Sequence, residues 1–373
     1  MNTIKLSGKY TNAIIYTTDN AETAVDPYAV AQVQQLCDFP AAEGSTIRVM
    51  PDFHPGKGCV IGLTMTINDR VMPNLVGVDI GCGVSAHRIE KFRPDFKKLD
   101  KIIRESVPSG FAIHKKASGG FGALGMDGLR CAKHVDLGRA ACSLGTLGGG
   151  NHFIEVDRGE DDSAWLVIHS GSRHLGVEIC TWYLKSGADA IKAWGMDVPY
   201  ELTWLEGHMA QDYLHDMQLA TAFAAANRDA ICRAIFGGMG WKHGEELHSV
   251  HNYISDDNIL RKGAIAADTR CIIPINMRDG IIIGTGKNNP GWNHSAPHGA
   301  GRICSRSKAK EMFTLTDFKK AMDGIYSSSV RKDTLDEAPF AYRALDDIRK
   351  AMGETVAIEQ VLKPIYSFKA GGK

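Results

Sequence analysis

Asp79 and Cys82 stand three residues apart in Gly-Val-Asp-Ile-Gly-Cys-Gly-Val (77–84), with glycine on both sides of the thiol. A lone cysteine in such a setting reads as a small buried residue in a tight turn. The aspartate changes that reading, because a carboxylate beside a thiolate is favourable when one cation holds both. His152, His169 and His251 could complete such a site. Cys, His and Asp together make a transition-metal ligand set, for which zinc is the default. Each histidine taken alone reads as structural, but their contexts are alike. His152 follows a glycine run, His169 ends an apolar run, and His251 precedes Asn-Tyr. A histidine at the end of a rigid strand has its ring well placed for ligation. His248 and His251, at i and i+3, could share a helix face. His208 and His215, on a long helical pattern, read as solvent-facing.

A second cluster, Ser-Ala-Pro-His-Gly-Ala-Gly-Arg-Ile-Cys-Ser-Arg (295–306), suggests phosphate chemistry. A helix starting near Gly299 would bring Arg302 and Arg306 onto about one face. Arginine forks and helix N-terminal amides together form a phosphate site. His298 beside a bound phosphate could act as a nucleophile and form a phosphoramidate. In isolation the same stretch reads as a helix-start histidine with solvated arginines. A third cluster, Gly-Thr-Leu-Gly-Gly-Gly-Asn-His-Phe-Ile-Glu (145–155), places glycines just before Asn151, His152 and Glu155. Glycine lets the backbone approach a ligand closely. Familiar nucleotide motifs are missing: Gly-Thr-Gly-Lys-Asn-Asn (284–289) lacks the P-loop spacing, and no Gly-x-Gly-x-x-Gly opens a helix.

These clusters punctuate an apolar framework that must position them. Residues 46–90 read as short strands broken by glycine, and 165–176 as a strand running into a polar turn. Asp26–Leu36 and Asp95–Val107 have helical patterns, and residues 108–128 read as a mobile Gly/Ser/Lys loop in which Lys115 and Lys116 are a solvated pair. Residues 178–238 read as a helical insertion holding the longest helix. Cys271–Gly286 reads as two strands with a turn at Arg278-Asp279-Gly280, Pro339–Met352 as a helix, and 354–370 as a closing strand. The expected fold is mixed α+β, a single catalytic domain over 1–373 with a central β-sheet core and flanking helices.

The composition of the 373 residues supports this, since 44% hydrophobic content is enough for a sizeable core. Formal net charge is zero, so no global basic field announces nucleic acid, although a local groove can still be basic. Nine cysteines without a Cys-x-x-Cys pair argue against a disulfide framework. No signal-peptide pattern and no run of 18 apolar residues is present, so a cytoplasmic location is expected.

Together the clusters resemble the RtcB family of RNA ligases, from about Val49 to the C-terminus. The resemblance implies that Asp79, Cys82, His152, His169 and His251 bind two manganese ions, with Cys82 bridging. Asp79 and His152 would complete one shell, His169 and His251 the other. It implies that His298 attacks GTP and carries GMP. Asp52, Asn151, Glu155, Lys262, Ala300, Gly301, Arg302, Arg306 and Lys369 would line the guanylate site, with the glycines at 148–150 letting backbone approach it. The implied substrates are RNA ends, a 3′-phosphate or 2′,3′-cyclic phosphate and a 5′-hydroxyl, joined in RNA repair or tRNA splicing. Local cations such as Arg173 and Arg302 would meet the RNA. The chain is shorter than typical members. A serine expected near the nucleotide is replaced in Ile273–Gly280, which adds Arg278, and Lys369 sits in an altered C-terminal setting. These departures suggest a divergent paralogue with a specialised RNA or a dedicated protein partner. A metal-dependent phosphoesterase without ligation and a non-catalytic RNA-binding scaffold are the alternatives.

Overall fold

The structure is a computed structural model that describes residues 2–18 and 25–370. Its strands are β1 (Asn2–Ser7), β2 (Asn12–Thr17), β3 (Ile47–His54), β4 (Ile61–Thr66), β5 (Gly83–Glu90), β6 (Phe153–Arg158), β7 (Ala164–Ser170) and β8 (Lys242–Val250). They continue with β9 (Asn252–Ile254), β10 (Ile259–Lys262), β11 (Ala264–Ala266), β12 (Arg270–Asn276), β13 (Gly280–Gly286), β14 (Ser295–Pro297) and β15 (Val356–Lys369). The α-helices are α1 (Pro27–Cys37), α2 (Pro73–Val76), α3 (Phe96–Ser106), α4 (Leu137–Ser143), α5 (Arg173–Ala193), α6 (Gly207–Met239), α7 (Arg306–Met312), α8 (Leu315–Ala321) and α9 (Leu345–Ala351).

The strands form a six-stranded sheet in the order β1-β2-β3-β4-β10-β9 and a seven-stranded sheet in the order β12-β13-β15-β6-β7-β5-β8, with β11 and β14 as a separate pair. The mixed α+β expectation is met. Pairing is antiparallel except between β2 and β3. β7 is buried along its whole length, which is why Ala-Trp-Leu-Val-Ile-His-Ser runs apolar without alternating. The 33-residue α6 packs against α3, α5 and strands β5, β7 and β9. It stops at Gly240, which adopts the left-handed conformation usual at helix ends. Asp26 and Asp95 cap α1 and α3 through their side chains. Among the described residues no helix is long and apolar enough to cross a membrane, and all nine cysteines are free thiols.

The structure refines two local expectations. Residues 108–128, expected as a loop, contain short turns and are tied down by Gly110 N–H to Gly148 O, His114 N–H to Cys142 O and Ser118 N–H to Ala141 O. Pro339–Met352 is not one helix: a single turn at Pro339–Ala341 is separated from α9 by Tyr342–Ala344. Arg343 there donates to the carbonyls of Asp52 and Phe53, and this tertiary pull interrupts the helical register.

Asp157, in central strand β6, is fully buried and neither carboxylate oxygen has a hydrogen-bond partner. Burial, reinforced by the Glu155 charge, pushes its carboxyl well above the usual range. The fold therefore holds a proton that the unfolded chain releases above about pH 4, and stability falls as pH rises from there. Asp157→Asn is expected to be more stable than the parent by about 1–3 kcal/mol near pH 8, with the gap closing towards about pH 4. Thermal melts at both pH values test this. A variant no more stable than the parent at the higher pH would refute the neutral buried carboxyl.

Candidate active site

The ladders of the seven-stranded sheet bring the sequence-distant ligand candidates to one end. Cys82 directly precedes β5, His152 directly precedes β6, His169 lies near the end of β7, and His251 sits between β8 and β9. Gly83 pairs with both Ser170 and Val250, and Phe153 pairs with His169, so four strand ends meet. Cys82 Sγ lies 3.4 Å from His152 Nε2 and 3.3 Å from His169 Nε2. His152 Nε2 is 3.0 Å from Asp79 Oδ2, and His169 Nε2 is 3.4 Å from His251 Nε2. Two triads result, Asp79–Cys82–His152 and Cys82–His169–His251, with the sulfur common to both. His248 and His251 do not share a helix face. His248 is in β8, whose pairing with β5 holds the segment extended.

The tautomers suit ligation. His152 Nδ1 donates to Leu147 O at 2.8 Å, and His169 Nδ1 donates to Asn151 O at 3.2 Å. A carbonyl only accepts, so each Nδ1 carries the proton and each Nε2 turns a lone pair inward. An Arg173 nitrogen also comes within 3.3 Å of His152 Nδ1, but the shorter carbonyl contact decides the proton's place. Inward lone pairs, a thiol and a carboxylate repel one another unless a cation sits among them. Burial and the Asp79 charge push the Cys82 thiol well above its ordinary value, a balance that a divalent cation would invert. The donor set and its orientation thus fit one or two divalent ions.

Two buried residues of α6 hold this arrangement, and the sequence reading passed over both. Asn227 donates to Thr146 O, Ser170 Oγ and Gly171 O, and accepts from the N–H groups of Gly145 and Thr146. Arg228 donates to Gly81 O and Ser170 O, each at 3.0 Å. One helical turn thereby clamps the loops of Cys82, His152 and His169. The available signal was an adjacent amide and cation on the apolar face of the longest helix.

Beside the triads opens a cavity of about 720 Å³, within the range of small-molecule sites. Asn151, Glu155, His169, His251, His298, Ala300, Gly301, Arg302, Arg306 and Lys369 are among its lining residues. The His298 ring centroid is 4.9 Å from that of His251. His298 Nδ1 is 2.7 Å from Oδ2 of the fully buried Asp52, although the approach is off the hydrogen-bond line. Gly301, at φ +68°, makes this possible: a Cβ there would lie 2.1 Å from Asp52 O. That contact also explains why no helix starts near Gly299. The chain stays irregular until α7 begins at Arg306 behind the Ser305 cap, so Arg302 and Arg306 do not share a helix face.

Arg302 lines the cavity but is committed to Glu337, Tyr342 and the carbonyls of Cys304 and Asp336. Arg306 pairs with Asp336 and Glu337, each at 3.0 Å, and Lys369 Nζ is 2.7 Å from Glu337. Glu337, also missed in the sequence, is the hub. Burial opposes its charge, but Lys369, Arg306 and Arg302 outweigh burial and hold its carboxyl below the ordinary range. Glu155 differs: burial pushes its carboxyl up to about 7, against the pull of Lys369 and a hydrogen bond from Ser367.

Lys262 does not line the cavity. Its ammonium donates to Lys57 O and Asn74 O, each at 2.7 Å, which satisfies a buried cation and ties β10 to its neighbours. At Gly148 the space a Cβ would take is filled by the Arg173 guanidinium, 2.0 Å away. Arg278, expected as an added cation near the nucleotide, is turned onto Asp279 at 2.8 Å, while Ile275, Asn276 and Met277 form the cavity wall. Lys115 and Lys116 are exposed, as is His208, and His215 is half-buried beside Asp216.

The family model described as tRNA-splicing ligase RtcB matches residues 32–370. The chain belongs to the RtcB family. It is 30% identical over 368 aligned positions to the RNA-splicing ligase RtcB of Escherichia coli strain K12, covering 87% of this chain and 90% of that protein. It is 27% identical over 416 positions to RNA-splicing ligase RtcB2 of Escherichia coli strain ATCC 25922, covering 98% and 99%. It is 30% identical over 397 positions to the tRNA-splicing ligase RtcB of Aeropyrum pernix, covering 80% and 82%.

Removing one member of a buried charge cluster leaves its partners uncompensated, at a cost of about 3–5 kcal/mol. Glu337→Gln is expected to lose stability on that scale in urea denaturation. A loss under about 1 kcal/mol would mean the three cations find water or other partners.

Proposed function

We propose that this RtcB-family chain is an RNA ligase that joins a 3′-phosphate or 2′,3′-cyclic phosphate end to a 5′-hydroxyl end, using GTP and two manganese ions. The observation that carries this reading is His298, held against buried Asp52 at the junction of the cavity and the two triads. Asp79, Cys82 and His152 would hold one ion and Cys82, His169 and His251 the other. Ligand softness alone favours zinc, so the choice of manganese rests on the family. Such ions, when bound, neutralise charge developing on phosphoryl oxygens.

His298 uses its Nε2 lone pair to attack the α-phosphorus of GTP. An N–P bond forms, the P–O bond to pyrophosphate breaks, and pyrophosphate leaves with the electron pair. Asp52, against Nδ1, orients the ring and offsets the positive charge that develops on it. A terminal 3′-phosphate oxygen then attacks the same phosphorus, the N–P bond breaks, and His298 is freed as RNA-ppG forms. A cyclic phosphate must first be opened by water. The 5′-hydroxyl finally attacks the RNA phosphorus and GMP departs. Arg306 and Lys369 supply cations along the cavity, and Asn151 and Glu155 supply polar groups for the nucleotide. Cytoplasmic tRNA splicing or RNA repair, with or without an activating protein, is the proposed setting.

The test is incubation with Mn²⁺ and GTP labelled in the α-phosphate, followed by denaturation. Acid-labile, alkali-stable label is expected on the parent and none on His298→Ala. Cys82→Ala is expected to lower labelling by about 100-fold or more. Unlabelled parent that still binds manganese and opens cyclic phosphate ends would replace the ligase by a phosphoesterase. Label that survives in His298→Ala would reject the assigned nucleophile.

A further inference from the structure

A second convergence of histidine and cysteine lies further along the same strands. His87 of β5, Cys232 of α6 and His243 of β8 each offer a ligand atom within 4.8 Å of the other two. His87 Nδ1 is 2.9 Å from His243 Nε2. Glu246 Oε2 is 3.7 Å from His87 Nδ1 and 3.8 Å from His243 Nε2. His248 stands edge-on to His87, and its Nε2 is 3.8 Å from Glu246 Oε1.

The local fold makes this cluster deliberately. β5 and β8 pair His87 with Glu246 and Ser85 with His248, so these side chains share one face. Strict alternation would send His243 to the opposite face, three residues from Glu246. A register shift between His87 and Ile89 returns it. Ser85 Oγ lies 3.0 Å from His87 Nε2, which leaves Nδ1 facing His243 and Glu246. An outer hydrogen bond of this kind is what metal-ligating imidazoles carry. Phe236 closes the inner side with its ring against both histidines. A simple histidine–histidine hydrogen bond would explain the 2.9 Å contact, but not the buried thiol beside both rings or the carboxylate 3.7 and 3.8 Å from them.

We propose that His87, Cys232, His243 and Glu246 form a second cation site, with the ligand set of a four-coordinate zinc-class ion. Two imidazoles, a thiolate and a carboxylate are zinc's usual donors, at about 2.0–2.3 Å. Glu246 and His243 are half-exposed, so their side chains are free to close those distances. The site is distinct from the triads. His87 lies five residues from Cys82 along one strand, about 16 Å at the usual strand rise. Its role is to staple. β5 runs from Cys82, β8 runs into His251, and α6 carries Arg228 one turn from Cys232. The ion therefore ties together the three elements that position the first centre.

The test uses the full chain carrying Cys82→Ala and His169→Ala, which disables the first centre whatever its activity. Co²⁺ and Zn²⁺ are the probes. One equivalent of Co²⁺ is expected, with a thiolate-to-cobalt charge-transfer band that Zn²⁺ displaces. Adding Cys232→Ser should abolish the band. Adding His243→Ala, at a half-exposed position that tolerates substitution, should weaken Co²⁺ binding by about tenfold or more. Zn²⁺ should raise the melting temperature of the background chain and not that of its Cys232→Ser derivative. Circular dichroism checks that each variant is folded. A background chain with no band overturns the site. So does a band that survives Cys232→Ser, or a folded His243→Ala chain that binds Co²⁺ as tightly as its parent.

Discussion

One sulfur atom belongs to both triads, and most of the fold can be understood as the means of keeping it there. Cys82 Sγ must meet two imidazole nitrogens and a carboxylate in a buried space. Each of those groups would rather face water than one another. Burial of such a set is tolerable only with a cation present and with every outer atom hydrogen-bonded. The chain supplies such outer bonds to His152 and His169 through Leu147 O and Asn151 O, and holds their loops with the Asn227–Arg228 clamp. A helix or loop alone could not do this, because the ligands come from segments far apart in sequence. Antiparallel ladders align those segments in register, and a one-residue slip would turn a ligand to the other face of the sheet.

The cavity has the opposite electrostatic character. Where the triads gather lone pairs, the far wall gathers cations, and Glu337 keeps them from repelling one another. Its three partners are not equivalent. Arg302 makes so many protein contacts that it acts as a strut. Arg306 is half-exposed, and its ion pairs can be exchanged for a ligand's oxygens at smaller cost. His298 sits between the two regions with the buried Asp52 carboxylate behind it.

Residue chemistry was more legible in the sequence than residue partnership. Asp79, Cys82, His152, His169 and His251 were recognisable as ligand types, and the strand ends that carry them were visible as apolar runs. Their division into two triads came from family resemblance, because no spacing rule links positions 82, 152, 169 and 251. Glu337, Asn227 and Arg228 were missed for a related reason: each is ordinary in its local window and matters only through long-range contacts. The helix expected at Gly299 failed because Gly301 is selected by its approach to Asp52, not by helix geometry. Lys262 was assigned to the nucleotide by its position in the family pattern, whereas its burial demanded carbonyl partners.

The Ile273–Gly280 turn and the C-terminal strand both contribute residues to the cavity. Asn276 uses its side-chain oxygen to accept from the N–H groups of Arg278 and Asp279, forming a tight turn. Arg278 is neutralised by Asp279, and this turn presents an amide and Met277 to the cavity rather than a charge. In the C-terminal strand, Ser367 donates to Glu155 while Lys369 reaches Glu337. Glu155 is thereby set in a buried, hydrogen-bonded place, where burial pushes its carboxyl up to about 7. These two segments thus set what the cavity presents to a bound molecule, separately from the triads and the His298–Asp52 pair.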